Sequence, residues 1–294
     1  MADRRRRRRN PRSPEAQTST NPGQEVPEKK ESLLSVVLWA LAIAFVFKSF
    51  LLDTFWIPSG SMEPTLEVGD FIVVTKWAYG YNRHSLVFDP PIFKGERVLA
   101  RDPQRGDVVV FDSTTVGQGG PYTELENGGY HVIKRVVGLP GDHVRLIEGL
   151  IEITTPEGQV LTFVREEVAR EEVIEEIELS NGTSLAQPGI FVTYEETNPE
   201  GRRYAVREIL TTAGAPTGPD TYRLDQAIPG FFPDDVVPEG HVFVMGDNRD
   251  RSADSRASLR SIPMHKIVGR ARLVVFSLGE NWLPVWNRFF RPIR

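Results

Sequence analysis

A mainly β fold, an antiparallel sheet domain preceded by one apolar helix, is predicted by three observations. Short runs rich in Val, Ile and Phe recur along most of the chain, Gly and Pro separate them, and one uninterrupted apolar stretch stands near the N-terminus. The 294 residues are 40% hydrophobic and 26% charged, enough to bury the core of one domain or of two small ones. Cysteine is absent, which excludes disulfides, thiolate metal sites and cysteine nucleophiles. The five histidines show no metal-ligand spacing, so neither a metal nor a cofactor is expected.

The first element is a basic tail. Residues 1–32 hold nine Arg or Lys against five Asp or Glu, so the net charge of −5 divides into +4 here and −9 in the remainder. Pro, Ser, Asn and Gln surround the run Arg4 to Arg9 and no aromatic residue is interleaved, the composition of a solvated disordered segment and not of a nucleic-acid surface.

The second element is the apolar stretch 33–52, LLSVVLWALAIAFVFKSFLL, whose only charge is Lys48. Twenty residues make about 30 Å of helix, the thickness of a bilayer core. Leu33 to Phe47 alone would suit a signal-peptide core, but the chain continues KSFLLDTFWIPSG with no run of small residues for cleavage. The stretch therefore reads as an uncleaved transmembrane signal-anchor helix. The basic flank upstream places residues 1–32 in the cytoplasm and the chain from about residue 53 outside it, with Lys48 reaching back to the interface.

The third element, 53–294, reads as an extracytoplasmic domain of strands: Phe71–Val74, Val108–Phe111, Val132–Val137, His143–Ile147, Gly149–Ile153, Ile190–Tyr194, His241–Met245 and Ile267–Phe276. Leu139-Pro140-Gly141-Asp142 has the composition of a turn between two of them. About 148–237 the chain is acidic, then rich in Gly, Pro and Thr, and reads as an inserted subdomain. Within it, VREEVAREEVIEEIEL at 164–179 combines near-helical apolar spacing with β-branched residues, so helix and strand both stay open.

Three segments could carry chemistry. Ile57-Pro58-Ser59-Gly60-Ser61-Met62-Glu63-Pro64-Thr65-Leu66 is by itself a turn-rich loop with two serine hydroxyls, lacking the G-x-S-x-G and S-x-x-K signatures. Val132-Ile133-Lys134-Arg135-Val136-Val137 would place Lys134 on one strand face with Val132 and Val136, where burial could depress its pKa. In the third segment, Gly246 to Arg256, a Ca²⁺ loop through Asp250, Ser252 and Asp254 fails because Ser255 and Ser261 stand where such a loop needs Gly and Glu.

With Arg105-Gly106-Asp107-Val108-Val109-Val110-Phe111, these segments resemble the motif boxes of bacterial type I signal peptidases, in order and behind a membrane anchor. The resemblance implies a membrane-bound serine endopeptidase with a Ser/Lys dyad that cleaves N-terminal signal peptides after a small-x-small site. It makes Ser61 the nucleophile and Lys134 its general base, with Ser59 and the Ser61 N–H forming an oxyanion hole. It makes Ser252 the residue that orients Lys134, Asp254 and Arg256 a supporting ion pair, and Phe55, Ile57, Pro58, Met62, Ile72 and Ile133 the substrate-binding wall. The partners implied are preprotein signal peptides, membrane lipid and the export machinery at the bacterial inner membrane. Arg251 departs from the smaller polar residue of many relatives, and Lys134 stands where the endoplasmic-reticulum branch has His. The C-terminal mixture of Trp282, Trp286, Phe289, Phe290 and Arg suits either an interfacial surface or ordinary packing. Two rival classes remain: a soluble Ser/Lys autoprotease of the repressor-cleaving kind, and a non-catalytic binding domain.

Overall fold

The structure, a computed structural model, describes residues 32–81, 97–113, 131–147, 149–178, 184–211, 236–256, 259–279 and 281–294. The basic tail of residues 1–31 lies outside them. The chain forms two compact units, residues 1–41 and 42–294.

The helix α1 (Leu33–Val46) buries no residue. It is shorter than the twenty-residue span expected from the sequence. A π-helical turn follows at Phe47–Leu51, and Leu52 already lies in a strand, so among the described residues no helix is long and apolar enough to cross a membrane. The change of conformation has visible partners. Lys76 Nζ donates to the Lys48 carbonyl at 2.8 Å and pairs with Asp53 at 2.9 Å, while the Tyr81 hydroxyl donates to the Phe50 carbonyl at 2.7 Å. Carbonyls at the end of the turn are thus satisfied by side chains and not by a further helical turn.

Among the described residues fourteen strands follow: β1 (Leu52–Trp56), β2 (Asp70–Thr75), β3 (Val108–Asp112), β4 (His131–Gly138), β5 (His143–Ile147), β6 (Leu150–Thr154), β7 (Val160–Thr162), β8 (Val164–Glu178), β9 (Ser184–Thr197), β10 (Arg203–Thr211), β11 (His241–Met245), β12 (Ile262–Pro263), β13 (Ile267–Ser277) and β14 (Arg291–Pro292). The main sheet is antiparallel in the order β1-β2-β13-β3-β4-β11-β12, with β14 beside β13. Two three-stranded sheets, β5-β6-β7 and β10-β9-β8, stand apart from it.

The uninterrupted valines of β3 are explained by burial on both faces. Val108 and Val110 join a core with Ile57, Met62, Leu66, Ile72, Val74 and Val274, whereas Val109 and Phe111 join a second with Val136, Val242, Val244 and Ile267. A strand covered on both sides carries no polar alternation. Between β4 and β5, Leu139–Asp142 is the expected turn: the Asp142 N–H donates to the Leu139 carbonyl at 3.0 Å and Gly141 has φ of 81°. Pro140 and Gly141 hold the two central places that such a turn favours.

The open question at 164–179 resolves to strand. β8 pairs with β9 along its length with a bulge between Glu167 and Ala169, and Val164, Val168 and Ile174 are exposed. Apolar residues at helical spacing form a helix only when a core covers that face. Here the ladder to β9 takes the backbone instead.

Candidate active site

The loop after β1 is fastened at both ends before it presents a serine. The Ile57 N–H donates to the Asp70 carbonyl and the Gly69 N–H to the Ile57 carbonyl, both at 2.9 Å. Met62 and Leu66 are both fully buried and anchor the middle in the first core. A 3₁₀ turn at Gly60–Met62 lies between these anchors and carries Ser61. Ser59, just before it, is exposed.

β4 supplies Lys134. Its ladder partner at Lys134 is Val109 of β3, so the lysine stands among buried valines and is only 4% exposed. Nζ hydrogen-bonds Ser61 Oγ at 2.7 Å and the Ile133 carbonyl at 2.9 Å. Burial lowers its pKa from the ordinary 10.5 to about 8; Asp254 and Asp247 oppose that fall by attraction, and Arg256 adds to it.

The loop after β11 closes the third side. The Asn248 N–H donates to the Ser61 carbonyl at 3.2 Å and its side-chain amide to the Gly60 carbonyl at 3.0 Å. Gly246 lies so close that a Cβ there would meet the Ser61 carbonyl oxygen at 2.4 Å and Ser252 Oγ at 2.2 Å. Asp254 and Arg256 form an ion pair at 2.9 Å. Burial works against the Asp254 charge, but Arg256 and the N–H groups of Gly246 and Arg256 hold its carboxyl below the usual range. Arg135, next to Lys134, is also fully buried and pairs bidentately with Asp247 at 2.6 and 2.7 Å.

Around the serine and lysine lies a cavity of about 700 Å³ lined by Ile57, Pro58, Ser59, Ile133, His131, Val132 and, across it, Glu63, Asn248, Arg251 and Ala253. Of the residues expected from the sequence, Ile57, Pro58, Ser59, Ser61, Ile133 and Lys134 meet here. Met62 and Ile72 are 0% exposed and sit behind the wall in the core, because the loop uses Met62 as an anchor and β2 turns Ile72 inward. Phe55 packs on that core and touches the His131 ring at 4.9 Å between centroids, outside the lining. Ser252 Oγ is buried and makes no hydrogen bond among the described residues; Lys134 instead bonds Ser61 and Ile133. Asn248 and Glu63 were not singled out from the sequence. Their signal was position inside the two motifs, but only the folded chain brings Asn248 to the carbonyls of Gly60 and Ser61.

Residues 30–276 match the family model described as signal peptidase, peptidase S26. Proteins named signal peptidase I from Rickettsia typhi and Rickettsia prowazekii are 35% and 34% identical over 247 residues, covering 83% of this chain and 79% of theirs. The one from Rickettsia canadensis is 32% identical over 268 residues, 90% of this chain and 85% of its own. A solved signal peptidase I from Enterococcus faecalis aligns at 22% identity with a TM-score of 0.27, covering 58% of this chain and 97% of that one. The match runs through the β1 loop, β4 and the loop after β11 alike, so the residues that surround this cavity lie within one family alignment. The chain belongs to the S26 family of signal peptidases, serine peptidases that hydrolyse peptide bonds.

Proposed function

We propose that this protein removes signal peptides through a Ser61–Lys134 dyad while tethered to a membrane. The observation that carries the reading is the 2.7 Å approach of a buried lysine nitrogen to a serine hydroxyl at the wall of an open cavity. A serine hydroxyl is a weak nucleophile until a base takes its proton, and a lysine can do so only when neutral. Desolvation brings Lys134 to about 8, within reach of the working pH. With one amine N–H held by the Ile133 carbonyl, the lone pair of the neutral form turns toward Ser61.

Ser61 Oγ attacks the scissile carbonyl carbon as its proton passes to Lys134 Nζ. The oxyanion receives the Ser61 N–H and the Ser59 hydroxyl, donors worth about 3 kcal/mol each in comparable sites. Collapse breaks the C–N bond, and the ammonium of Lys134 returns the proton to the departing amine. A water molecule then gives a proton to Lys134 and its oxygen to the acyl carbon; the acyl C–Oγ bond breaks, Lys134 passes the proton to Ser61 Oγ, and the signal peptide leaves as its carboxylic acid. Ile57, Pro58, Val132 and Ile133 line the cavity with bulky apolar groups, which favours a small-x-small pattern before the scissile bond and an extended strand-like substrate.

The tether follows from the exposed apolar residues of α1 and of the turn after it, which no core among the described residues covers. Trp282, Trp286 and Phe290, 73%, 74% and 70% exposed, add an aromatic surface of the kind that sits at lipid headgroups. With a basic N-terminal flank, the topology is single-pass, cytoplasmic at the N-terminus, with the sheet domain beside the export machinery outside.

The test is cleavage of a preprotein bearing an Ala-x-Ala site by the detergent-solubilised chain, with Ser61→Ala and Lys134→Ala in parallel. Cleavage at the site, lost in both variants, is the expected result. A folded wild type that cleaves no preprotein, or full activity in either variant, overturns the dyad.

A further inference from the structure

The β8–β10 sheet touches both loops that meet at Ser61. From β10, Arg207 forms a parallel bridge with Asn248: its N–H donates to the Asp247 carbonyl at 2.8 Å, and its carbonyl accepts the Arg249 N–H at 2.8 Å. The Ile209 N–H donates to Asp250 at 2.6 Å. Toward the other loop, Thr65 Oγ1 donates to the Ala205 carbonyl at 3.3 Å and Arg207 pairs with Glu63 at 3.2 Å.

The strongest tie comes from β9. Glu196 is fully buried, and its carboxylate accepts both terminal nitrogens of Arg249 at 2.6 and 2.9 Å, Arg165 Nε at 2.7 Å and the Tyr204 hydroxyl at 2.9 Å. Burial alone would raise this carboxyl, and the Arg249 and Arg165 guanidiniums reverse that and hold it down at about 2. Arg249 Nε in turn donates to the Gly246 carbonyl at 3.1 Å. A planar guanidinium held bidentately on one side and by Nε on the other has no rotational freedom left. The backbone from Gly246 to Arg249 is therefore set from outside by Glu196, while its inner side holds the carbonyls of Gly60 and Ser61 through Asn248.

We propose that Glu196, acting through Arg249 and Asn248, is a positioning residue for the Ser61 backbone, so that the β8–β10 sheet is a working part of the active site. The proposal rests on Ser61 as the nucleophile. Displacement of a reacting group by about 1 Å is enough to cost a hundredfold in rate, so a brace on that backbone acts on turnover more than on substrate binding.

Glu196→Gln and Arg249→Met are compared with wild type and with Arg203→Ala, an exposed β10 residue outside this network. Three quantities are measured on the full chain: deuterium uptake over 57–66, and kcat and KM on an Ala-x-Ala preprotein. Both brace variants should take up deuterium faster at Gly60–Met62 and lose roughly tenfold or more in kcat with KM within about twofold. Arg203→Ala should do neither. If Glu196→Gln does not fold, Arg249→Met decides, since Glu196 then keeps Arg165 and Tyr204. Wild-type uptake in a folded brace variant overturns the proposal, as does a loss confined to KM. Should the wild type cleave nothing, the peptidase reading falls, and deuterium uptake alone still decides on the brace.

Discussion

Lys134 shows what a buried lysine costs a fold. Its pKa of about 8 in place of 10.5 means that at neutral pH the chain keeps an ammonium where burial disfavours it. That lowering corresponds to about 3 kcal/mol of disfavour for the charged form. Below pH 8 folded and unfolded chains both hold the proton and the full cost is present; between 8 and 10.5 the folded chain has lost it while the unfolded chain has not, so stability rises with pH. Lys134→Met should therefore raise the melting midpoint at pH 6 to 7, with the gain fading as pH climbs through 8 toward 10.5, while abolishing cleavage. A pH-independent gain would show that the stabilisation does not come from removing the charge. In the wild type, kcat/KM should rise through a group titrating near 8, and an acid limb several units lower would mean that another residue is the base. Gly246 makes the complementary point about space. Gly246→Ala would press a methyl group against the Ser61 carbonyl oxygen, at 2.4 Å, and Ser252 Oγ, at 2.2 Å. Overpacking of that kind costs about 1–3 kcal/mol, and turnover should fall by roughly tenfold or more because the backbone that must move carries Ser61.

Between elements, the strand that carries Lys134 is tied to the loop after β11 by a buried pair. Arg135 of β4 and Asp247 are both fully buried, and Arg135 also donates to the Gly106 carbonyl at 2.9 Å and lies 3.8 Å from the centre of the Tyr204 ring. Asp247→Ala would leave that guanidinium uncompensated and should cost about 3–5 kcal/mol, read as a fall in denaturation midpoint. A loss below about 1 kcal/mol would mean that solvent reaches Arg135. The same elements show what could be read in advance. The branched run of β3 announced a strand, whose burial on both faces the fold then showed, and Pro140-Gly141 announced the turn after β4. The run 164–179 announced nothing decisive, since its Val and Ile residues fit a helical stripe and a strand equally until a ladder partner is known.

For the whole molecule, the exposed apolar helix and the exposed aromatic residues near the C-terminus predict association with lipid. The full chain should co-sediment with vesicles, and Trp282→Ala with Trp286→Ala should weaken cleavage of membrane-presented preprotein more than cleavage of a soluble peptide. Equal losses on the two substrates would count against a lipid-facing role for those rings. The sequence by itself determined the succession of elements, an apolar segment followed by Val- and Ile-rich strands punctuated by Gly and Pro, and the resemblance of its motif boxes pointed to the serine and the lysine whose side chains meet in the structure. These are legible because strand periodicity, turn chemistry and motif spacing are local, each a matter of a few neighbouring residues. Only the tertiary structure decided that α1 ends at Val46, that Met62 and Ile72 face the core and not the cavity, that Lys134 stands 2.7 Å from Ser61, and that Glu196 holds Arg249. Burial and hydrogen bonding join residues scores of positions apart, so they depend on which surfaces the strand order brings together, and no local pattern of side chains carries that information.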